Sequence, residues 1–215
     1  MASFLDFLPP LLKGANVTVQ ITLLAAVLGF VTSFAVGLAR LSRYSPVRFF
    51  SGLYVEVIRG TSLLVQLFWM VFVLPLFGLK LPLLTAGVLA LGLNCGAYGS
   101  EIVRGSILAV PKGQTEAAIA LNLSPWQRMR LVIIPQAFRL MLPPFGNLFI
   151  ELVKGTALVS LIALHDLTFQ AMSLRNSTLE TTKIFALLLL VYFLIAYPAT
   201  IGIRWVEHRL SVGRY

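Results

Sequence analysis

The chain has few charged residues, one cysteine and two histidines. Charged side chains make up 12% of its 215 residues, about half the share of roughly 25% found in soluble domains. Apolar residues make up 58%, and the mean hydropathy is +0.89. There is too little charge to cover a water-facing surface, so most of the surface must face lipid. The single cysteine excludes a disulfide framework within the chain, and the two histidines argue against a metal or redox centre.

The sequence also lacks a phosphate-binding loop for ATP. The pattern G-x-x-x-x-G-K-[ST] needs a Gly-Lys pair, and no Gly-Lys dipeptide occurs. Lys-Gly occurs at 13–14, 112–113 and 154–155, which is the reverse order. We therefore expect no ATP hydrolysis by this chain and no bound cofactor, and we assign no catalytic or metal-binding residue.

Apolar runs predict an all-α protein with five transmembrane helices. A membrane helix needs about 20 apolar residues, and four charge-free runs satisfy this, at residues 14–39, 60–79, 81–100 and 184–203. A fifth run, 140–164, contains Glu151 and Lys154. Ionisable residues inside a membrane usually face a pathway or a partner, so this run is predicted to be a functional span. Its prolines, Pro143 and Pro144, are expected to break or kink the helix.

Basic residues predict the orientation, because loops on the cytoplasmic side are enriched in lysine and arginine. Most of the 17 basic residues fall inside if the amino terminus is outside and the carboxyl terminus is cytoplasmic. Four spans, with residues 101–183 cytoplasmic, are the alternative. They would make that loop longer than the roughly 60 residues over which the charge rule operates.

These spans divide the chain into three parts. Residues 1–13 contain Asp6 and the pair Pro9-Pro10 but no basic n-region, so we expect an amphipathic segment on the membrane, broken at the prolines, rather than a secretory signal. Residues 14–208 form the transmembrane domain, with a cytoplasmic loop at 105–139. Residues 209–215 form a cytoplasmic tail.

Small residues at four-residue spacing predict close helix packing. One set lies on the first span and one on the third: Gly29, Ser33 and Gly37, and Gly92, Gly96 and Ser100. Small side chains let membrane helices approach closely, so both sets are interpreted as packing surfaces.

The cytoplasmic loop reads locally as two helices joined by a corner. Residues 112–121 are good helix formers, and Asn122 is the expected stop because asparagine tolerates a left-handed backbone. Ser124 is expected to cap the next helix, with Pro125 at its first position. Ala117 and Ala118 carry almost no side chain, which would let another protein's surface approach this helix.

These residues resemble the EAA loop of permease subunits from binding-protein-dependent ABC importers. The similarity rests on Glu116-Ala117-Ala118, the turn at Asn122 and Ile133-Ile134-Pro135. It extends to the polar-amino-acid branch of the family through residues 56–66, 94–105 and 154–160. The resemblance implies the type I importer (MetI-like) permease fold and a loop helix that docks on a cytoplasmic ATPase. The residues assigned to this coupling are Lys112, Gly113, Glu116, Ala117, Ala118, Leu121, Asn122 and Pro135.

The resemblance also implies partners and a location. The partners are a second permease subunit of the same or a paralogous chain, two ATPase subunits that carry ATP and Mg²⁺, and an extracytoplasmic solute-binding protein. The location is the bacterial inner membrane. The chain would supply half of an alternating-access pathway for a small polar solute. The alternative is a self-contained secondary transporter or channel driven by an ion gradient, a class that often shows inverted repeats.

Two departures from the family pattern bear on coupling and on the solute. The family usually has glycine where this chain has Asn122, and we expect the turn to survive. The family often has an acidic residue where Gly155 stands, directly after Lys154. Its absence weakens the case for a cationic solute such as arginine, and favours a neutral or zwitterionic amino acid or an ectoine-type solute.

Helical spacing predicts a polar path through the membrane and two pairs at its cytoplasmic end. The predicted path residues are Ser62, Gln66, Trp69, Asn94, Tyr98, Glu151, Lys154, Thr156 and Ser160. An internal Glu151–Lys154 ion pair without solute contact is the alternative for that part of the path. The motif Glu-x-x-Arg-Gly occurs twice, and its i,i+3 pairs, interpreted as structural or gating elements, are Glu56 with Arg59 and Glu101 with Arg104.

Overall fold

The described part of the chain is entirely helical. The computed structural model describes residues 4–211, apart from the side chains of residues 4–6, 204 and 206–211; the predicted tail therefore lies partly outside the described residues. The α-helices are α1 (Phe4–Ala39), α2 (Ser45–Arg59), α3 (Leu63–Phe68), α4 (Leu83–Leu108), α5 (Lys112–Ala120), α6 (Pro125–Arg128), α7 (Ile134–Gly155), α8 (Leu167–Thr178) and α9 (Thr181–Ser211).

Four stretches are long and apolar enough to cross a membrane. They are Phe7–Ala39, Leu83–Leu108, Pro125–Ile162 and Thr181–Ile203. A fifth passes the same test only as a bent pair, in which Ser45–Arg59 and Leu63–Phe77 meet at 101°. The prediction of an all-α fold with five spans is therefore confirmed. The prediction of a second span at residues 60–79 is wrong in its bounds, because helix runs only from Leu63 to Phe77 and passes the test only together with Ser45–Arg59, across a break at residues 60–62.

Non-α turns occur directly before two prolines. A π-helical turn, Trp69–Val73, precedes Leu74-Pro75, and a second, Met129–Ile133, precedes Ile134-Pro135. A proline has no N–H for the carbonyl four residues earlier, and a π turn redirects the bonds around that gap. The first turn continues as a 3₁₀ helix, Leu74–Phe77, that ends at Gly78 with a φ of 85°. A short connection through Lys80-Leu81-Pro82 then reaches α4.

The two Pro-Pro pairs of the chain do not interrupt their helices. α1 runs through Pro9 and Pro10, and α7 runs through Pro143 and Pro144. The break expected at Pro9 and Pro10 is therefore wrong, and in the described residues the segment up to residue 13 is not a separate element. At Pro143 and Pro144 a break is likewise excluded, whereas a kink stays a prediction. Packing explains the continuity of α1, because Phe7 and Leu11 are fully buried against α8 and α9. In membranes neighbouring helices often compensate for the backbone bonds that proline removes.

The α1–α4 seam, defined here as the contact between the two predicted sets of small residues, is the centre of the fold. An added Cβ at Gly37 would lie 2.9 Å from the Ser100 carbonyl oxygen, and one at Gly29 would lie 2.9 Å from Cys95 Sγ. Gly96 and Gly99 leave even less room, since an added Cβ would overlap the hydroxyls of Thr32 and Ser33. The predicted packing role of the small residues is therefore confirmed.

At the opposite end from α5, a buried carboxylate caps α8 where this helix packs against α1. Asp166 is fully buried and caps α8, because its carboxylate accepts bonds from the N–H groups of Thr168 (3.2 Å) and Phe169 (2.9 Å). Thr18 of α1 accepts the next free N–H, from Leu167 (3.1 Å). Burial raises the pKa of Asp166, and the hydrogen bonds act in the opposite direction.

Candidate functional site

The loop between α4 and α7 forms a corner in which both helix ends are capped. Asn122 has a φ of 56°, and its N–H donates to Ile119 O (2.8 Å) while Leu123 N–H donates to Ala118 O (3.0 Å). This pair of bonds is a Schellman motif. It satisfies carbonyls at the end of α5, and confirms that asparagine holds the turn where glycine is usual in the resembled family.

The start of α6 is capped in the next three residues. The Ser124 hydroxyl accepts from Gln127 N–H (3.3 Å), and the Gln127 side chain accepts from Ser124 N–H (2.9 Å). This reciprocal arrangement is a capping box, with Pro125 at the first helical position. The predicted cap is confirmed, and α5 and α6 are therefore held at a fixed angle.

Most residues assigned to coupling lie on the exposed side of this corner. Leu121 is 74% exposed, and six further assigned residues are also exposed: Lys112, Gly113, Glu116, Ala117, Asn122 and Pro135. Ala118 is the exception at 2%. Its prediction as part of a docking surface is wrong, because one helical position turns Ala118 by about 100° from Ala117 onto the face of α5 that packs against its own chain.

A polar contact joins α5 to the first turn of α7. Gln136 Nε2 donates to Gln114 Oε1 (3.1 Å) and to Val132 O (3.0 Å). Below it, Ile133 and Ala137 are buried against Val103 and Ile107 of α4. The corner is therefore attached to two membrane-spanning helices, so a displacement of α5 has a direct structural route into the membrane.

The break in the second span is held by one glutamine. Gln66 Nε2 donates to Ile58 O (2.7 Å) and to Thr61 Oγ1 (2.9 Å), and Gln66 Oε1 accepts from Asn94 Nδ2 (3.2 Å). A broken membrane helix leaves backbone groups without partners, and such backbone is tolerated where protein or a cavity satisfies them. Gln66 supplies a partner at the break and ties it to α4.

Beside this break lies a cavity of about 240 Å³ between α3, α4 and α7. Asn94, Tyr98 and Glu151, all predicted path residues, line it. The rest of its lining is apolar or small: Leu63, Leu91, Cys95, Leu148, Leu152 and Gly155. Glu151 forms no ion pair with Lys154 within the described side chains, so the alternative of an internal pair is not seen. The Glu151 carboxylate is exposed and available to a solute.

The remaining predicted path residues lie elsewhere. Trp69 is exposed in the π turn with its ring stacked on Phe77 (6.4 Å), and Ser62 is exposed at the break. Thr156 and Ser160 are buried, and each hydroxyl donates to a carbonyl three residues earlier at 2.7 Å. Neither lines the cavity. Helical spacing failed here because α7 tightens into a 3₁₀ helix at Thr156–Ile162, which changes the angle between successive side chains.

One of the two predicted charge pairs forms, and it has a further partner. Glu101 pairs with Arg104 (3.5 Å) and also contacts Arg40 at the end of α1. Burial lowers the pKa of Arg40, and the neighbouring Arg104 and Arg59 act in the same direction. This cluster closes the α5 end of the α1–α4 seam.

The other predicted pair does not form. The described side chains include no ion pair for Glu56. The Arg59 guanidinium instead lies 5.1 Å from the centre of the Tyr98 ring. Since Tyr98 lines the cavity, this cation–π contact places a positive charge beside it.

Sequence reasoning missed several residues of these sites. Arg40, Tyr54 and Thr61 are the clearest cases; the Tyr54 hydroxyl donates to Leu93 O (2.6 Å) across α2 and α4. Their partners are distant in sequence, and periodicity gives no signal for such contacts. The described side chains contain no group of three or more His, Cys, Asp or Glu placed to hold a metal ion.

Comparison with known proteins identifies the family. Residues 29–212 match the model of the family described as "Binding-protein-dependent transport system inner membrane component". A relative from Sinorhizobium fredii (strain NBRC 101917 / NGR234), the "Probable amino-acid ABC transporter permease protein y4tF", is 51% identical over 97% of this chain and 90% of its own length.

Two further proteins extend this similarity. The L-cystine transport system permease protein TcyB of Bacillus subtilis (strain 168) is 37% identical over 96% of this chain and 88% of its own length. Among solved structures, a chain of "Crystal structure of an amino acid ABC transporter with histidines" superposes with a TM-score of 0.90 at 37% identity, covering 97% of this chain and 99% of the other. The likeness therefore holds along almost the whole length.

Proposed function

The chain belongs to the family of inner membrane components of binding-protein-dependent transport systems, and from this premise we propose that it forms half of an alternating-access pathway that imports a polar amino acid. It is a multi-pass inner-membrane subunit and not an enzyme. A second permease subunit, of the same or a paralogous chain, supplies the other half. A separate ATPase hydrolyses ATP, and an extracytoplasmic binding protein delivers the solute.

The cavity beside Glu151 supports an amino acid as the solute. At about 240 Å³ it is smaller than the 300–1,000 Å³ of sites for drug-sized ligands, so its occupant is small. The Glu151 carboxylate can accept hydrogen bonds from an ammonium group. The Asn94 amide and the Tyr98 hydroxyl can donate to a carboxylate. A zwitterion offers both groups.

The charged residues at the cavity indicate which class of amino acid it can hold. Glu151 is the single acidic residue of the cavity lining, with Arg59 over the adjacent Tyr98, and a dibasic solute would meet that positive charge. We therefore propose a neutral or zwitterionic amino acid rather than arginine. The relatives above are named for amino acids and for cystine, which favours an amino acid over ectoine.

The coupling helix is proposed to be α5. Its exposed side, with Glu116 and Ala117 and with Leu121 directly after it, is free to enter a groove of the ATPase, and Gln136 connects α5 to α7, which carries Glu151. Docking of α5 on a cytoplasmic ATPase requires that α5 and the adjoining ends of α4 and α7 lie in the cytoplasm. We therefore propose that the amino terminus is outside and the carboxyl terminus cytoplasmic, as the distribution of basic residues favours.

Reconstitution tests the proposal. The permease is placed in proteoliposomes with the ATPase and binding protein encoded beside it, and uptake of radiolabelled neutral amino acids is measured. We expect uptake that requires ATP inside and the binding protein outside. Uptake that continues without ATP and follows an imposed ion gradient would establish the secondary-transporter alternative instead.

Paired variants separate the coupling helix from the cavity. Glu116→Arg with Ala117→Trp is expected to abolish ATP-driven uptake by blocking the docking of α5, whereas Ser177→Trp, exposed on α8, is the control. Glu151→Gln is expected to lower uptake at least tenfold with ATPase binding intact, whereas Lys154→Gln, outside the cavity lining, is the control. Full uptake by the α5 variant with its ATPase bound would contradict the coupling role.

A further inference from the structure

Trp126 is a large aromatic side chain exposed at the start of α6. It is 65% exposed, and the guanidinium of Arg130 lies 4.9 Å from the centre of its ring. Exposed tryptophans on protein surfaces are uncommon, since tryptophan is highly buried on average. Tryptophan and arginine are the residue types most enriched among the few that dominate the energy of protein interfaces.

The backbone of Trp126 is ordered by the helix cap, and its ring has a stacking partner before any other protein binds. It follows Pro125, it lies inside the Ser124–Gln127 capping box, and Arg130 stacks over it from the next turn. A side chain that is already ordered loses less conformational entropy when it is covered. The structure thus presents a rigid aromatic surface with an attached positive charge.

Trp126 lies at one end of its membrane-spanning stretch. The stretch Pro125–Ile162 has 38 residues, about 57 Å at 1.5 Å per residue, whereas a bilayer with its headgroups is about 40–45 Å thick. Trp126 is the second residue of that stretch, so it lies at the end nearest α5, whose last residue, Ala120, comes six positions earlier. A partner bound at α5 is therefore within reach of Trp126, and a lipid contact is an outcome of the test below.

The charge around Trp126 indicates the chemistry of the partner surface. The loop 105–139 contains four basic residues and one acidic residue, Glu116. Arg130, the cation on the ring, is exposed. A complementary surface needs an apolar slot for the indole and carboxylates at its rim for the guanidinium.

We propose that the stacked pair Trp126–Arg130 is a second contact with the ATPase subunit, adjacent to the docking of α5 and seated in an apolar slot with an acidic rim. This inference rests on the proposed function, and adds to it that docking involves the first turn of α6 as well as α5. Two contacts on either side of a capped corner fix the rotation of the corner on the ATPase, which a single helix in a groove does not.

Binding measurements test the inference. The full-length permease in nanodiscs of neutral lipid is titrated with its ATPase subunit. The variants are Trp126→Ala, Trp126→Phe, Arg130→Ala and the double variant, and Phe50→Ala is the matched control, because Phe50 is 67% exposed on α2. Thermal melting of each variant confirms that the chain is folded. Repeating the titration in nanodiscs with anionic lipid tests a lipid contact.

We expect Trp126→Ala to weaken ATPase binding at least tenfold, Trp126→Phe to restore most of it and Phe50→Ala to leave it unchanged. The double variant should bind about as weakly as Trp126→Ala alone, because Arg130 is ordered by the ring. Unchanged binding by all Trp126 and Arg130 variants, with binding still lost in the α5 variant, would overturn this inference and leave the proposed function standing. An effect of Trp126→Ala confined to anionic lipid would also overturn it. Failure of the wild type to bind any ATPase would instead remove the proposed function.

Discussion

The α1–α4 seam and the α9 helix differ sharply in how much of their surface is buried within the chain. Of the most apolar window of α4, 56% of the residues are buried inside the chain, whereas for α9 the share is 6%. The predicted seam residues are glycines and serines, while α9 presents leucine and phenylalanine around most of its circumference, with Leu189 75% exposed.

The difference shows which helix this chain can stabilise alone. Without a hydrophobic driving force between helices in lipid, close backbone contact supplies the stability; the seam has such contact, whereas a Cβ added at Gly202 of α9 would have nothing within 4 Å. α9 packs through Ile184 and Val191 against Phe7 and Leu167 and also lies beside α7, and it leaves most of its remaining surface to lipid or to another subunit. Four experiments can break or sharpen this comparison.

The largest effect is expected from a methyl group in the seam. In Gly99→Ala the new Cβ would lie 2.8 Å from Ser33 Cβ, so the helices must separate, which costs about 1–3 kcal/mol. The control Gly202→Ala lies in α9, where nothing is found within 4 Å of the added atom. We expect the melting temperature in detergent to fall below that of the wild type for Gly99→Ala and to stay unchanged for Gly202→Ala. Equal melting temperatures would mean that the seam does not carry the stability.

The next effect concerns the charge cluster that closes the seam. Glu101→Gln removes the carboxylate shared by Arg40 and Arg104, and we expect a loss of about 1 kcal/mol, since the groups are partly exposed and solvent screens them. Glu56→Gln is a matched control from the same sequence motif without an ion pair. Denaturant unfolding in detergent measures both. A greater loss for Glu56→Gln would contradict the observed pairing.

A pH dependence is expected where α1 meets α8. Burial raises the pKa of Asp166, so the folded state holds the proton more tightly than the unfolded state, where the pKa is about 3.9. The contribution of Asp166 to stability is therefore present at low pH and lost as pH rises from about 3.9 through the raised pKa. Asp166→Asn keeps a good capping residue. Its melting temperature should depend less on pH in this window, and an unchanged pH profile would argue against the shift.

The smallest effect is expected on the exposed side of α9. Leu189→Ala should change the stability of the chain in detergent by less than about 0.5 kcal/mol, because surface substitutions usually have small effects. The buried Ile184→Val on the same helix should cost about 0.5–1.5 kcal/mol. If Leu189→Ala lowers the melting temperature of an assembled complex but not of the isolated chain, that face of α9 contacts another subunit.

The sequence predicted the features that depend on neighbouring residues. Asn122 and Ser124 cap helices through bonds to atoms within a few positions, so their roles follow from local chemistry. Long apolar runs gave the membrane helices for the same reason. The small residues of α1 and α4 were also recognised, since spacing alone places them on one face.

The features that depend on distant partners could not be predicted. The break at residues 60–62 lies in a charge-free run, and it is held by Gln66 and Asn94, which are far apart in sequence. Arg40 gave no sign that Glu101 would be its partner. Ala118 was misplaced because its type suits both an exposed docking face and a tightly packed one. The residue type limits the roles that a position can take, and the tertiary contacts determine which of those roles it has.

The doubly capped corner at residues 121–124 has a mechanical consequence. Each backbone N–H from Leu121 to Ser124 is already bonded, to carbonyls of α5 or to the Gln127 side chain of the capping box. A hinge needs backbone torsions that can rotate freely, and few backbone torsions of this segment can do so. A force on α5 must therefore move α5, the corner and the start of α7 as one rigid unit, with little bending at the corner.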